Sequence, residues 1–135
     1  AFTPEVFYEA FKKSSKGEVI VWIAKDYPIS QLNPKQYAWI NLKEKKVIKK
    51  NAPPNFYEWD LITGNFTFRN RDVALNLINE LEDKNLRVNG EFYLDSLIEL
   101  AFDNQLDVQT VAIRNFIAIG TPEEYWTYQY FRKLN

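Results

Sequence analysis

Asn89-Gly90-Glu91-Phe92-Tyr93-Leu94-Asp95 places one carboxylate directly after a glycine and a second where a helix begins. A glutamate in that position accepts hydrogen bonds from hydroxyl groups such as those of a sugar, and Phe92 and Tyr93 supply a stacking face. The same residues also make an ordinary helix start, with Asp95 favoured by the helix dipole and both aromatics in the core. In Leu61-Ile62-Thr63-Gly64-Asn65-Phe66, the glycine lets backbone approach a sugar or phosphate, or else marks a bulge. Phe116-Ile117-Ala118-Ile119-Gly120-Thr121-Pro122-Glu123-Glu124 reads as a strand, a glycine turn and a capped helix. Ligands of open α/β sheets bind in the crevice beyond such strand ends. A basic group of Lys43, Lys45, Lys46, Lys49 and Lys50 suits a phosphate, but at a hairpin end it reads first as a solvated, edge-protecting face.

The chemistry open to this chain is narrowed by what it lacks. It has no Cys, no His and no Met. Thiolate nucleophiles, imidazole dyads, disulfides and zinc sites of the usual kind are excluded. Carboxylates, Lys, Arg, Tyr or a hard oxygen-bound cation remain. A net charge of −1 gives no general attraction to nucleic acid or anionic lipid. Aromatics that would make a single-strand platform lack the basic groove such a platform needs. The apolar runs are short and broken by charges, so no membrane span is expected, and no signal peptide is visible. A cytoplasmic protein is the expectation. The chain opens on Ala1 rather than Met, which reads as a processed, partial or engineered sequence.

These residues need elements to hold them. With 135 residues, 46% of them hydrophobic, residues 1–135 form one domain with a sizeable core. Thr3, Pro4 and Glu5 begin a helix that ends near Ser14-Ser15-Lys16-Gly17. The nearly continuous apolar run over 18–24 predicts a strand buried on both faces. Strands over 37–42 and 47–50 form a hairpin, and a further strand covers 61–68. Apolar spacing predicts helices over 70–81 and 94–102. Strands follow over 108–113 and 116–119, and Thr121 with Glu124 forms the capping box of a last helix. Tyr125, Trp126, Tyr128, Tyr130 and Phe131 crowd that helix and cannot all face one core, so some are expected to meet a partner or a missing part of the protein. The class is α/β with a mixed sheet flanked by helices. Too few buried strands are present for a complete doubly wound sheet.

Taken in order, the Thr63-Gly64 strand, Val88-Asn89-Gly90-Glu91-Phe92-Tyr93 and Ile119-Gly120-Thr121-Pro122-Glu123-Glu124 resemble the sugar nucleotidyltransferases. These are the pyrophosphorylases that make nucleotide sugars from a triphosphate and a sugar 1-phosphate. The resemblance runs from about Tyr37 to Tyr130 and covers the C-terminal, sugar-binding half of the family's domain. It implies a partial Rossmann-like sheet of the nucleotide-diphospho-sugar transferase type. It also implies a sugar phosphate or nucleotide sugar as ligand, with Thr63, Gly64, Glu91, Tyr93, Gly120 and Thr121 as substrate-binding residues. Gly64 approaches the sugar, and Glu91 holds its hydroxyls. The family uses magnesium, held in part by an aspartate two residues before the glycine of the Gly-Thr motif. Here that position is Ala118. The glycine-rich phosphate loop of the N-terminal half is not found, nor is the Glu-Lys pair expected after the hairpin. The isolated chain is therefore expected to bind without catalysing transfer.

Three readings follow from these residues. The chain is the sugar half of an enzyme, active with its N-terminal half. Alternatively it is a non-catalytic sugar-binding module, or a module for oligomeric interaction. Half of a doubly wound sheet leaves a strand edge and apolar faces uncovered, which predicts a dimer or higher oligomer.

Overall fold

Six residues in a row, Val19–Ala24, are fully buried, because this strand (β1) lies inside a five-stranded sheet with apolar neighbours on both faces. A computed structural model describes residues 5, 8, 9, 12, 17–25, 27–114 and 116–133. The other strands are β2 (Ala38–Asn41), β3 (Lys46–Lys49), β4 (Asp60–Phe68) and β5 (Val108–Ile113). Sheet order is β3-β2-β4-β1-β5. Among the described strands only the β1–β5 pair is parallel. The β1–β4, β2–β4 and β2–β3 pairs are antiparallel, so the sheet is mixed. The helices are α1 (Arg71–Asp83), α2 (Asp95–Asp103) and α3 (Pro122–Lys133). Glu5, Tyr8, Glu9 and Lys12 are also helical, while the rest of the helix expected from Thr3 lies outside the described residues.

The period-2 alternation of the strands divides two apolar layers. Val19, Val21, Ile23, Ile40 and Ile62 face Leu77 and Leu81 of α1 and Leu97, Ile98 and Ala101 of α2. Each of these valine, leucine and isoleucine side chains stabilises the fold by roughly 1.5–3 kcal/mol when fully buried. The other face carries Ala24, Trp39, Trp59 and Leu61, against Tyr27, Tyr37, Phe56 and Phe116 from the connecting segments.

Local signals start and stop the helices. Asn70 adopts an extended conformation, and its side chain accepts from Val73 N at 3.0 Å, which caps α1. Both α1 and α2 end on a left-handed residue, Asn85 (φ 49°) and Gln105 (φ 59°). The next amides, Leu86 N and Leu106 N, then reach back to Leu81 O and Ala101 O, the six-to-one bond of a Schellman stop.

The strand expected over 116–119 is not formed. Residues 116–119 belong to no ladder. β5 is an edge strand whose partner, β1, ends at Ala24 opposite Ile113, so among the described residues no strand continues alongside 116–119. Phe92 and Tyr93 are not core residues either: Phe92 is exposed beneath the Arg87 guanidinium, 3.9 Å from its ring centroid. Among the described residues no helix is long and apolar enough to cross a membrane.

Candidate functional site

The β1–β4 ladder is irregular where Thr63 and Gly64 lie. Val21 pairs with Phe66 and Ile23 with Ile62, so two steps along β1 correspond to four along β4. The two extra residues make a bulge over 63–65, a device that turns strand groups out of the ladder and is frequent beside active sites. Gly64, at φ +81°, takes the left-handed conformation the bulge requires, and a Cβ there would meet nothing within 4 Å. Thr63 Oγ1 donates to the Trp22 carbonyl at 2.9 Å, which anchors the bulge to the central strand. β2 pairs with β4 only as far as Ile62, opposite Ala38, so the bulged stretch opens beyond the start of β2.

Gly120 and Thr121 reach the same place from the other end of the chain. The capping box forms: Glu124 N donates to Thr121 Oγ1 at 3.2 Å, and Glu124 Oε2 accepts from Thr121 N at 3.1 Å and Gly120 N at 2.9 Å. The remaining Glu124 oxygen accepts from the Tyr37 hydroxyl, which ties α3 to the start of β2. Burial, and then the Glu124 carboxylate, push the Tyr37 hydroxyl far above the ordinary tyrosine range. Tyr27 packs edge-on against both Tyr37 (6.2 Å) and Phe116 (5.2 Å), which fixes the connecting segments around this point.

A third group comes from β3 and α2. Lys49 is largely buried, donating to Ser96 Oγ at 3.0 Å and pairing with Glu99. Asp95 opens α2 beside it; burial raises its carboxyl above the usual carboxylate range, against the pull of the Lys49 and Lys50 ammonium groups. Lys50 stands at φ +55°, a conformation non-glycine residues seldom adopt, with its Nζ 5.4 Å from the Tyr93 ring centroid. Tyr93 in turn donates to Glu91 Oε2 at 2.9 Å.

These three groups enclose one cleft of about 550 Å³, within the range of small-molecule sites. Thr63, Gly64, Gly120 and Thr121 all line it, and so does Ala118. Glu91 and Tyr93 do not; they stand behind Lys50, linked to the cleft through it. Lys50, Asp95, Tyr37, Gln36 and Glu124 are its other polar lining residues. Lys49 is thus not the solvated face expected of the lysine group, whereas Lys43, Lys45, Lys46 and Lys50 are exposed as expected, Lys50 at the cleft's edge. Tyr37 had no local signal, because its partner Glu124 is 87 positions away.

The cleft is electrically lopsided. Past Tyr37 and Ala118 it continues into a groove of about 620 Å³ lined by Ile29, Leu32, Tyr128 and Phe131 together with Glu123 and Glu124. No lysine or arginine lines that groove among the described residues. Lys50 shares its end of the cleft with Asp95, so an anionic group is favoured only directly beside the Lys50 ammonium and is repelled from the acidic groove. The amides at the start of α3 offer no anion site, since Glu124 already occupies those of Gly120 and Thr121.

The donors around Ala118 do not fit a magnesium ion. Ala118 contributes a methyl group, both Glu124 oxygens hold hydrogen bonds, and Asp95 already has two ammonium groups beside it. A hard divalent cation needs several free oxygen ligands. Among the described residues no group of three acidic side chains lies close enough to hold a metal. No protein-family model matches this chain, and no curated protein is significantly similar to it.

Proposed function

We propose that this chain is the sugar-phosphate-binding part of a nucleotidyltransferase that makes nucleotide sugars, and that alone it binds without turning over. The observation that carries the reading is the meeting of the Thr63-Gly64 bulge with Gly120-Thr121 in one cleft. The mixed sheet is read as part of a Rossmann-like frame, with the cleft beside the crossing of β2, β4 and residues 116–121.

The chemistry of the cleft supports a ligand with hydroxyls at its centre and a phosphate at one end. The Thr63 and Thr121 hydroxyls, Gln36 and the Asp95 carboxylate are hydrogen-bonding groups suited to sugar hydroxyls. Gly64 leaves room for the ring against backbone, and Lys50 supplies the charge for the phosphate. Glu91 acts on Lys50 through Tyr93 rather than touching the ring. Nucleotidyl transfer depends on positioning and on neutralising phosphate charge. Among the cleft-lining residues Lys50 is the single cation, too little charge for a triphosphate and its metal.

Calorimetric titration with a panel of sugar 1-phosphates and nucleotide sugars tests the reading, using Gly64→Ala and Thr121→Ala as controls. Binding that both variants weaken is expected. Absence of binding to every sugar phosphate, with the protein folded, removes the reading.

A further inference from the structure

Among the described residues, helix α3 meets the rest of the protein through the side that carries Glu124 and Tyr128. None of its residues is fully buried. Glu124, Tyr128 and Phe131 turn toward the cleft and groove. Away from Tyr128 run Glu123, Trp126, Tyr130 and Lys133, at steps of three, four and three residues, with Glu123 at the groove rim. At 100° per residue that spacing makes a single stripe about 80° wide. Trp126 is 66% exposed and Tyr130 63%, and Glu123 and Lys133 are both exposed at the two ends.

The stripe is complementary to itself. Glu123 and Lys133 are equally distant from position 128, and so are Trp126 and Tyr130. Two copies of α3 laid antiparallel about a two-fold axis at Tyr128 therefore set Glu123 against the other copy's Lys133, twice. They also set Trp126 against the other copy's Tyr130, twice. An isologous contact requires this symmetry, and an arbitrary exposed aromatic patch does not have it. The aromatic pairs supply desolvated area at the centre, and the charges form the rim.

We propose that α3 is a homodimerisation element, pairing antiparallel with α3 of a second copy through Glu123, Trp126, Tyr130 and Lys133. One helix stripe gives a contact below the size of a standard stable interface, so the expected dissociation constant is roughly 10–100 µM. The inference is independent of the sugar-phosphate reading, since none of its four residues except Glu123, at the groove rim, faces the ligand-type residues.

Sedimentation velocity on the full chain from about 10 µM to about 1 mM tests it. The wild type is expected to shift from monomer to dimer over that range. Glu123→Lys and Lys133→Glu each turn two attractive pairs into repulsive ones, which weakens association about tenfold. Combining both changes in one chain restores pairing. So does mixing the two single variants, because both cross-pairs are then attractive. Trp126→Ala weakens association in every background. A wild type that stays monomeric throughout overturns the proposal. A dimer that neither charge reversal disturbs overturns it equally, since another surface then holds the copies together.

Discussion

The Tyr37 hydroxyl donates to the Glu124 carboxylate across 87 positions of sequence, joining the first residue before β2 to the first turn of α3. Glu124 thus does two jobs at once: it closes the capping box of α3 and fixes that helix against the sheet. Tyr37→Phe keeps the ring but leaves one Glu124 oxygen without this donor. A hydrogen bond to a charged acceptor is worth about 1–2 kcal/mol in such a setting, so the melting temperature should fall by roughly 4–7 °C. Alkaline pH gives the direct check. The folded protein holds the Tyr37 proton far more tightly than the unfolded chain does. That stabilisation is complete below the ordinary tyrosine value near 10 and declines as pH rises above it. Wild type should lose stability above about pH 10 more steeply than Tyr37→Phe. Parallel curves for the two proteins would falsify the assignment.

Asp95 behaves in the opposite practical sense at neutral pH. Burial outweighs the pull of Lys49 and Lys50 and raises its carboxyl. A raised acid favours the folded state fully below the unfolded value near 3.9, and the advantage disappears as pH climbs through the folded value. At pH 7 that advantage is diminished, so Asp95 is held at a cost. Asp95→Asn should melt at or above wild type at pH 7, and the difference should vanish toward about pH 3–4. Its affinity for a sugar phosphate should nevertheless fall, because an acceptor for sugar hydroxyls is replaced by a mixed amide. A variant that loses stability at pH 7 but not in acid contradicts this account.

How much of this was legible in the sequence depended on whether the cause was local. The run over 18–24 reads as a doubly buried strand because six apolar residues allow nothing else, and β1 is that strand. The box at Thr121 and Glu124 is a four-residue signal, and it forms. The strand expected over 116–119 fails because strand formation needs a partner, and apolar spacing in one segment says nothing about where β1 ends. Thr63 and Gly64 were legible as a special point in a strand. That they meet Gly120 and Thr121 follows from a bulge whose size is set by pairing between distant strands. Lys49 looked like a solvated hairpin charge, since its neighbours Ser96 and Glu99 come from over forty positions away; Lys50 is solvated as expected, but its place over Tyr93 was equally illegible.

Gly64 and Gly90 form a matched pair for separating backbone cost from ligand cost. Both have strongly positive φ, +81° and +84°, and a Cβ at either would meet nothing within 4 Å. Alanine should destabilise each by a similar amount, about 1 kcal/mol, through the left-handed backbone alone. Only Gly64 lines the cleft. Gly64→Ala should therefore weaken sugar 1-phosphate binding about tenfold, as one methyl intrudes where ligand approaches backbone. Gly90→Ala should bind within about twofold of wild type. Equal losses of affinity in the two variants would show that the bulge does not touch the ligand.

Lys50 stands in a backbone conformation that a side-chain-bearing residue adopts at a cost of about 1–2 kcal/mol. Such strain persists where the surroundings fix the residue, and it concentrates at functional sites. At Lys50 the surroundings are the Tyr93 ring beneath the ammonium and the nearby Asp95 carboxylate. Lys50→Gly relieves the strain and removes the charge together, so its two effects should have opposite signs. Stability should rise by up to about 1 kcal/mol, offset in part by the greater freedom of glycine in the unfolded chain. Affinity for a sugar 1-phosphate should fall about tenfold, and its dependence on salt should weaken, because the ammonium facing the phosphate is gone. Affinity for the unphosphorylated sugar should hardly change. If Lys50→Gly binds the phosphorylated ligand as tightly as wild type, the phosphate does not lie at the Lys50 end, and the orientation argued from the acidic groove is wrong.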